Sequence, residues 1–246
     1  MPPDASSIET RYSWVRLVVS ITLSTLGCVG LWSLVVALPA VQADFGVNRG
    51  GASLPYTLTM IGFGFGGILM GRLADRFGVF VPVIVGGVSL GAGFIAAGLA
   101  PGLLQFTLVH GVLIGLLGCS ATFAPLVADT ALWFNRHRGI AVAICASGNY
   151  LAGTVWPPIL QHFFETVGWR TTYVGVGVFC AVSIVALAFL LRPRPPALEA
   201  NPLTGRSEAR PALPLGLSPN ALMVLLSVAG VACCVAMSMP QVHIVA

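Results

Sequence analysis

Seven apolar runs of about twenty residues succeed one another along this sequence, and they leave few folds open. A helix needs roughly 20 apolar residues to cross the ~30 Å hydrocarbon layer of a bilayer, where every backbone polar group must be satisfied within the segment. The runs cover residues 17–41, 53–70, 79–100, 103–128, 140–163 and 172–191, with the seventh beginning at Asn220. Hydrophobic residues make up 57% of the chain and charged residues 8%. That content exceeds what one water-facing core can use. An all-α integral membrane protein is expected.

All 12 basic residues are arginine, which excludes a lysine Schiff base from this segment. Their placement gives an orientation, because short cytoplasmic loops hold the excess of Lys and Arg. With the N-terminus inside, Arg11, Arg16, Arg72, Arg76, Arg136, Arg138, Arg192, Arg194, Arg206 and Arg210 fall on the cytoplasmic side, and Arg49 and Arg170 on the other. Residues 1–16 then form a cytoplasmic tail, 17–191 a six-span bundle, 192–218 a Pro-rich cytoplasmic linker, and 219–246 a seventh span opening a second bundle. The six cysteines lie in apolar runs without metal-ligand spacing and are expected to be packing residues. No nucleophile–base pair, phosphate loop or metal cluster is present, so no enzyme activity, cofactor or metal is expected. The arginines are scattered between apolar runs, which argues against nucleic acid as a partner. "GFGFGG" (62–67) lies mid-span and is assigned to helix packing.

A weak repeat relates "ADFGVNRG" (43–50), before the second run, to "ADTALWFNRHRG" (128–139), before the fifth. Three spans separate the copies, so the second is inverted in the membrane. Such 3+3 inverted repeats build transporter halves.

The stretch "GRLADRFG" (71–78) reads as a tight loop between the second and third spans. Its pattern of Gly71, Asp75, Arg76 and Gly78 resembles the signature loop of the major facilitator superfamily. The span count, the repeat and the long linker agree with the N-terminal half of that superfamily. The resemblance implies that Asp75 meets a helix of the other half, and that Arg76 pairs with an acidic residue ending the fourth helix, where Asp129 stands. It further implies a charge latch biasing the inward and outward states. The family pattern continues with basic residues, whereas Val79 to Val81 follow here.

The loop Trp133, Phe134, Arg136, Arg138 and the small-residue helix after it resemble those of monocarboxylate porters and oxalate/formate antiporters, which implies a carboxylate substrate. Candidate cavity residues are Trp32, His110, Asn149, Tyr150 and, in the seventh span, His243, because polar residues inside a membrane tend to face a cavity or another helix. His110 has two readings, as a proton or anion site or as a neutral group bonded to a neighbouring helix. Trp156 either joins Tyr150 in an aromatic wall or marks the helix end with Pro157 and Pro158. The function expected is alternating-access transport of a small organic anion, with a co-transported proton or counter-anion, across a bacterial inner membrane, after union with a missing C-terminal half. The alternative is a non-transporting seven-helix scaffold or receptor-like protein.

Overall fold

The computed structural model describes residues 9–193 and, beyond them, Ser218, Ala221, Val224, Leu225, Val228, Ala229 and Ala232. Two units are distinguished, Met1–Pro196 and Ala197–Ala246. In the second, Ser218 Oγ accepts from the Ala221 N–H, and the described residues from Ala221 onward are helical. Most of the expected seventh span, His243 included, lies outside the described residues.

The first unit contains α1 (Arg11–Gly27), α2 (Val29–Phe45), α3 (Arg49–Phe77), α4 (Phe80–Gly98), α5 (Leu103–Val109), a π-helix (His110–Cys119), α6 (Ala124–Trp133), α7 (Arg138–Ala146), α8 (Gly148–Val167), α9 (Trp169–Ala188) and a closing 3₁₀ turn (Phe189–Leu191). They assemble into six spans long and apolar enough to cross a membrane: Arg11–Phe45, Gly50–Phe77, Phe80–Gly98, Leu103–Trp133, Arg138–Val167 and Trp169–Leu191. Five of these extend past the predicted apolar run, because helices continue into the interface on polar and aromatic residues that water and headgroups tolerate. Pro157 and Pro158 do not end α8, which runs on to Val167; neighbouring helices in a bundle compensate for the missing N–H groups. Gly78 (φ 82°) and Gly168 (φ 86°) do end helices, in a conformation other residues avoid.

Three spans are interrupted: the first at Cys28, the fourth at Thr122 and Phe123, the fifth at Ser147. The breaks stack on one another. A Cβ on Gly27 would strike the Thr122 side chain, and one on Gly148 would strike Ser24. Thr25 Oγ1 donates to the Gly148 carbonyl (3.2 Å), while the Trp156 indole N–H donates to the Thr25 carbonyl (2.8 Å), in the last turn before the first break. Freed backbone acceptors inside a membrane need such partners.

Elsewhere glycine sets the spacing. Gly62 and Gly66 of α3 lie against the π-helix backbone at Gly111 and Leu116, and Gly115 lies against Thr59. Thus "GFGFGG" is a contact surface between the second and fourth spans, as helix packing in membranes favours. Gly91 and Gly177 bring α4 and α9 together, each facing the other's carbonyl. Leu23, Leu34, Leu90, Phe94, Phe106 and Ile184 are fully buried, while Leu54, Ile61, Phe65 and Ile68 of α3 are exposed. A bilayer solvates such a surface and water does not.

Gly62→Ala is expected to destabilise the bundle by about 1–3 kcal/mol through overpacking. Gly64→Ala, which meets nothing within 4 Å, should be neutral or stabilising by up to about 1 kcal/mol. Thermal unfolding of the detergent-solubilised protein compares the two.

Candidate functional site

Six antiparallel spans bring residues 9–16, 72–79, 129–138 and 191–193 to one end of the bundle, here the N-terminal end. Arg16 is its centre. Its side chain is 2% exposed and its Nε donates to Asp129 Oδ2 at 2.8 Å. Nη1 reaches the Leu191 carbonyl (3.1 Å), the Pro193 carbonyl (3.2 Å) and the Tyr12 hydroxyl (3.3 Å). The guanidinium lies over the Trp133 ring, 4.6 Å from its centroid. One cation therefore ties the starts and ends of three spans: the first, the fourth through Asp129, and the sixth through its last carbonyls, where a positive charge also answers the helix dipole.

The expected pairing of Arg76 with Asp129 is not formed in this structure. Asp129 is bound to Arg16 instead, while Arg76 is exposed, its guanidinium 5.3 Å from the Phe77 ring centroid. The signature stretch is also not the predicted loop. Gly71, Arg72, Asp75 and Arg76 belong to the last turns of α3, and only Gly78 and Val79 link it to α4. Gly71 has nothing within 4 Å and makes no turn. Asp75, Arg76, Gly78 and Asp129 nevertheless line one cavity of about 360 Å³. A carboxylate at the C-terminal turn of a helix faces its negative end, so Asp75 gains nothing from its own helix.

The loop after Asp129 serves the N-terminal segment. Trp133 and Phe134 are buried, with Tyr12 edge-on to Trp133 and Trp14 edge-on to Phe134. Glu9 accepts from the backbone N–H groups of His137 (2.8 Å) and Asn135 (3.1 Å), and its other oxygen lies 3.3 Å from His137 Nδ1. The His137 N–H bond foremost holds the Glu9 carboxyl below its ordinary value of 4.5. Arg136 and Arg138 stay exposed.

The opposite end carries a second clasp. Arg170 binds Asp44 Oδ2 (2.8 Å from Nη2), donates to the Gly98 and Ala100 carbonyls (3.1 and 2.7 Å), and lies over Trp169. Asp44 and Asp129 occupy matching places in the two sequence repeats, so each repeat ends its first span on a carboxylate held by an arginine. Arg16 and Arg170 looked like topology charges in the sequence. The signal that could have exposed Arg16 is a polar stripe, Ser13, Arg16, Ser20 and Ser24, at helical spacing from the tail into the first apolar run; all four are buried.

Among the cavity candidates, His110 is fully buried against Phe94, Phe106 and Tyr173. These rings place it inside the bundle toward the third and sixth spans. Neither ring nitrogen has a hydrogen-bond partner, so the expected bond to a neighbouring helix is not found either. Trp32 and Asn149 lie on facing helices. Trp32 packs on Gly153, one turn beyond Asn149, and Trp32 Nε1 and Asn149 Oδ1 are both buried without a hydrogen-bond partner. Tyr150 is 56% exposed, and Trp156 is buried against Phe179, not an interfacial anchor. The four described cysteines are buried and free, as packing residues would be.

A sequence model of the Major Facilitator Superfamily matches residues 21–245. The chain belongs to that superfamily. Mouse monocarboxylate transporter 6 is 30% identical over 194 residues, covering 75% of this chain and 39% of the relative. Mouse monocarboxylate transporter 11 is 28% identical over 216 residues, covering 88% and 47%. An uncharacterised MFS-type transporter of Escherichia coli strain K12 is 29% identical over 187 residues, covering 75% and 46%. The chain thus spans less than half the length of these superfamily relatives. Its six-span bundle is a membrane-embedded, all-α fold of the superfamily type, and the family is one of transporters.

Removing one partner of a buried pair strands the other charge. Arg16→Gln or Asp129→Asn is expected to cost about 3–5 kcal/mol of bundle stability. Asp44→Asn, at a half-exposed pair, should cost about 1 kcal/mol or less. Thermal unfolding in detergent orders the three. A depressed carboxyl pKa means that the Glu9 contact contributes above the unfolded value and is lost as pH falls through the folded one. The Trp14 environment should therefore change as pH drops below about 4.5, and not between pH 5 and 8 on account of Glu9; tryptophan fluorescence with Glu9→Gln as reference reads this.

Proposed function

We propose that the protein works as half of an alternating-access carrier for a small organic carboxylate, with a proton or a second anion moving alongside. The superfamily gives the transporter class, and the names of two relatives supply the substrate class. The observation that carries the reading within this bundle is the unsatisfied pair at the first and fifth spans. Trp32 Nε1 and Asn149 Oδ1 are buried atoms without a hydrogen-bond partner, and leaving such atoms unpaired costs free energy that a bound solute would return. The indole N–H donates to a carboxylate, and a turn of the Asn149 amide would present its NH2 in place of Oδ1, two donors without permanent charge, which suits an anion that must also be released.

The N-terminal end supplies the switch. Asp129 lies between Arg16, which holds it here at 2.8 Å, and Arg76, with which it shares a cavity. In this reading Asp129 exchanges one arginine for the other between states, and Asp75 engages the second bundle. Only a contact formed in one state and broken in the other shifts the equilibrium. The arginine-rich end faces the cytosol by the positive-inside rule.

Uptake of labelled lactate, formate and oxalate into proteoliposomes that hold this bundle joined to its second bundle, with and without a pH gradient, tests the substrate class. Transport of any one that Asn149→Ala weakens about tenfold or more in KM, the worth of a hydrogen bond to a charged group, supports the site. Asp75→Asn and Arg76→Ala should lower kcat with KM and membrane insertion unchanged. Failure of all three solutes would remove the carboxylate assignment, and wild-type turnover in Asp75→Asn would leave that charge to topology.

A further inference from the structure

A second cavity, of about 220 Å³, opens at the N-terminal end beside the one shared by Asp75 and Asp129, and the transport reading does not use it. Arg16, Gly78, Val79, Phe80, Arg192 and Pro193 are among its walls. Arg16 is nine-tenths buried and more, yet only two of its three guanidinium nitrogens are engaged. Nη2 is buried without a hydrogen-bond partner, leaving donors unused on a cation, the kind of group most costly to leave unpaired.

Two more features converge on the same space. Residues 78–80 bring in the start of α4, a helix of 19 residues whose N-cap, Val79, makes no side-chain capping bond. Its first N–H groups and dipole favour an anion. Arg192 stands exposed at the rim and takes part in no ion pair among the described residues. Asp129 also lines the cavity, but its charge is already answered by Arg16 Nε. Two arginines against one carboxylate leave a positive charge beside an uncapped helix start.

We propose that this cavity binds a phosphate group, held by Arg16 Nη2, Arg192 and the N-terminus of α4. The same chemistry is offered by the headgroup of an anionic phospholipid and by free phosphate. The surroundings favour the lipid. Phe77 and Phe189 expose their rings at this end of the bundle, Phe77 on the cavity wall and Phe189 edge-on to Phe80, another wall residue. A basic pocket between spans on the arginine-rich side suits a headgroup whose acyl chains run down the outside of the bundle.

The test uses the 246-residue chain in phosphatidylcholine nanodiscs, in the same discs doped with phosphatidylglycerol, and in undoped discs with inorganic phosphate in the buffer. Thermal unfolding and native mass spectrometry of retained lipid are the readouts. The wild type should unfold at a higher temperature with phosphatidylglycerol and keep it bound. Arg192→Gln should weaken that effect about fivefold, the worth of one arginine near an anionic surface, while Arg136→Gln, an exposed arginine outside the cavity, should leave it unchanged. Arg192→Gln spares the Arg16 clasp, so the result does not depend on a variant that fails to fold. Stabilisation by inorganic phosphate, also lost in Arg192→Gln, would assign the site to free phosphate. Identical unfolding in all three media, or equal losses in Arg192→Gln and Arg136→Gln, would overturn the proposal and leave only diffuse surface attraction.

Discussion

A guanidinium carried out of water must be given partners, and the N-terminal end of this bundle is organised around doing so for Arg16. The cation is almost wholly buried, and its contacts come from a carboxylate, two carbonyls, a phenol and an indole face on three different spans. Burying the pair is costly in itself, and such a pair is weak evidence for stability. Its value is in specification. With Arg16 in place, the ends of the first, fourth and sixth spans can sit together in one arrangement, and the point where the chain leaves the sixth span is fixed with them.

The opposite end repeats the solution with Arg170, Asp44 and the final carbonyls of the third span. There the pair is half-exposed, with 38% and 39% of the two side chains accessible, so solvent screens it and it is the weaker of the two. The N-terminal strap adds to the stronger end, since Glu9, Tyr12 and Trp14 all bind the segment that follows Asp129.

The first six spans and the fold class were legible because hydrophobic length is a direct consequence of bilayer thickness. The helix-ending role of Gly78 was legible too, because a positive φ leaves glycine little competition. Partnerships were not. Asp129 was visible as an acid ending a span, but which arginine it meets depends on how far the first span turns and where its polar stripe faces, and two arginines were in range. The surroundings of His110 were not legible for a related reason. A polar residue in an apolar run announces that it needs an environment, yet not which one, and here aromatic rings from two other spans surround the imidazole. Trp133 and Phe134 entered through the resemblance of their loop to a substrate-related one, and the sequence did not show that their rings pack on Tyr12 and Trp14.

The stacked interruptions at Cys28, Thr122 and Ser147 have a mechanical meaning. Stiff rods joined end to end would transmit any tilt at one face of the membrane directly to the other. Here three neighbouring rods are each cut at nearly the same height, and side-chain bonds such as Trp156 to Thr25 bridge the cuts. The three interruptions thus form one layer across the bundle, tied by side-chain bonds, and the second, third and sixth spans pass through it unbroken.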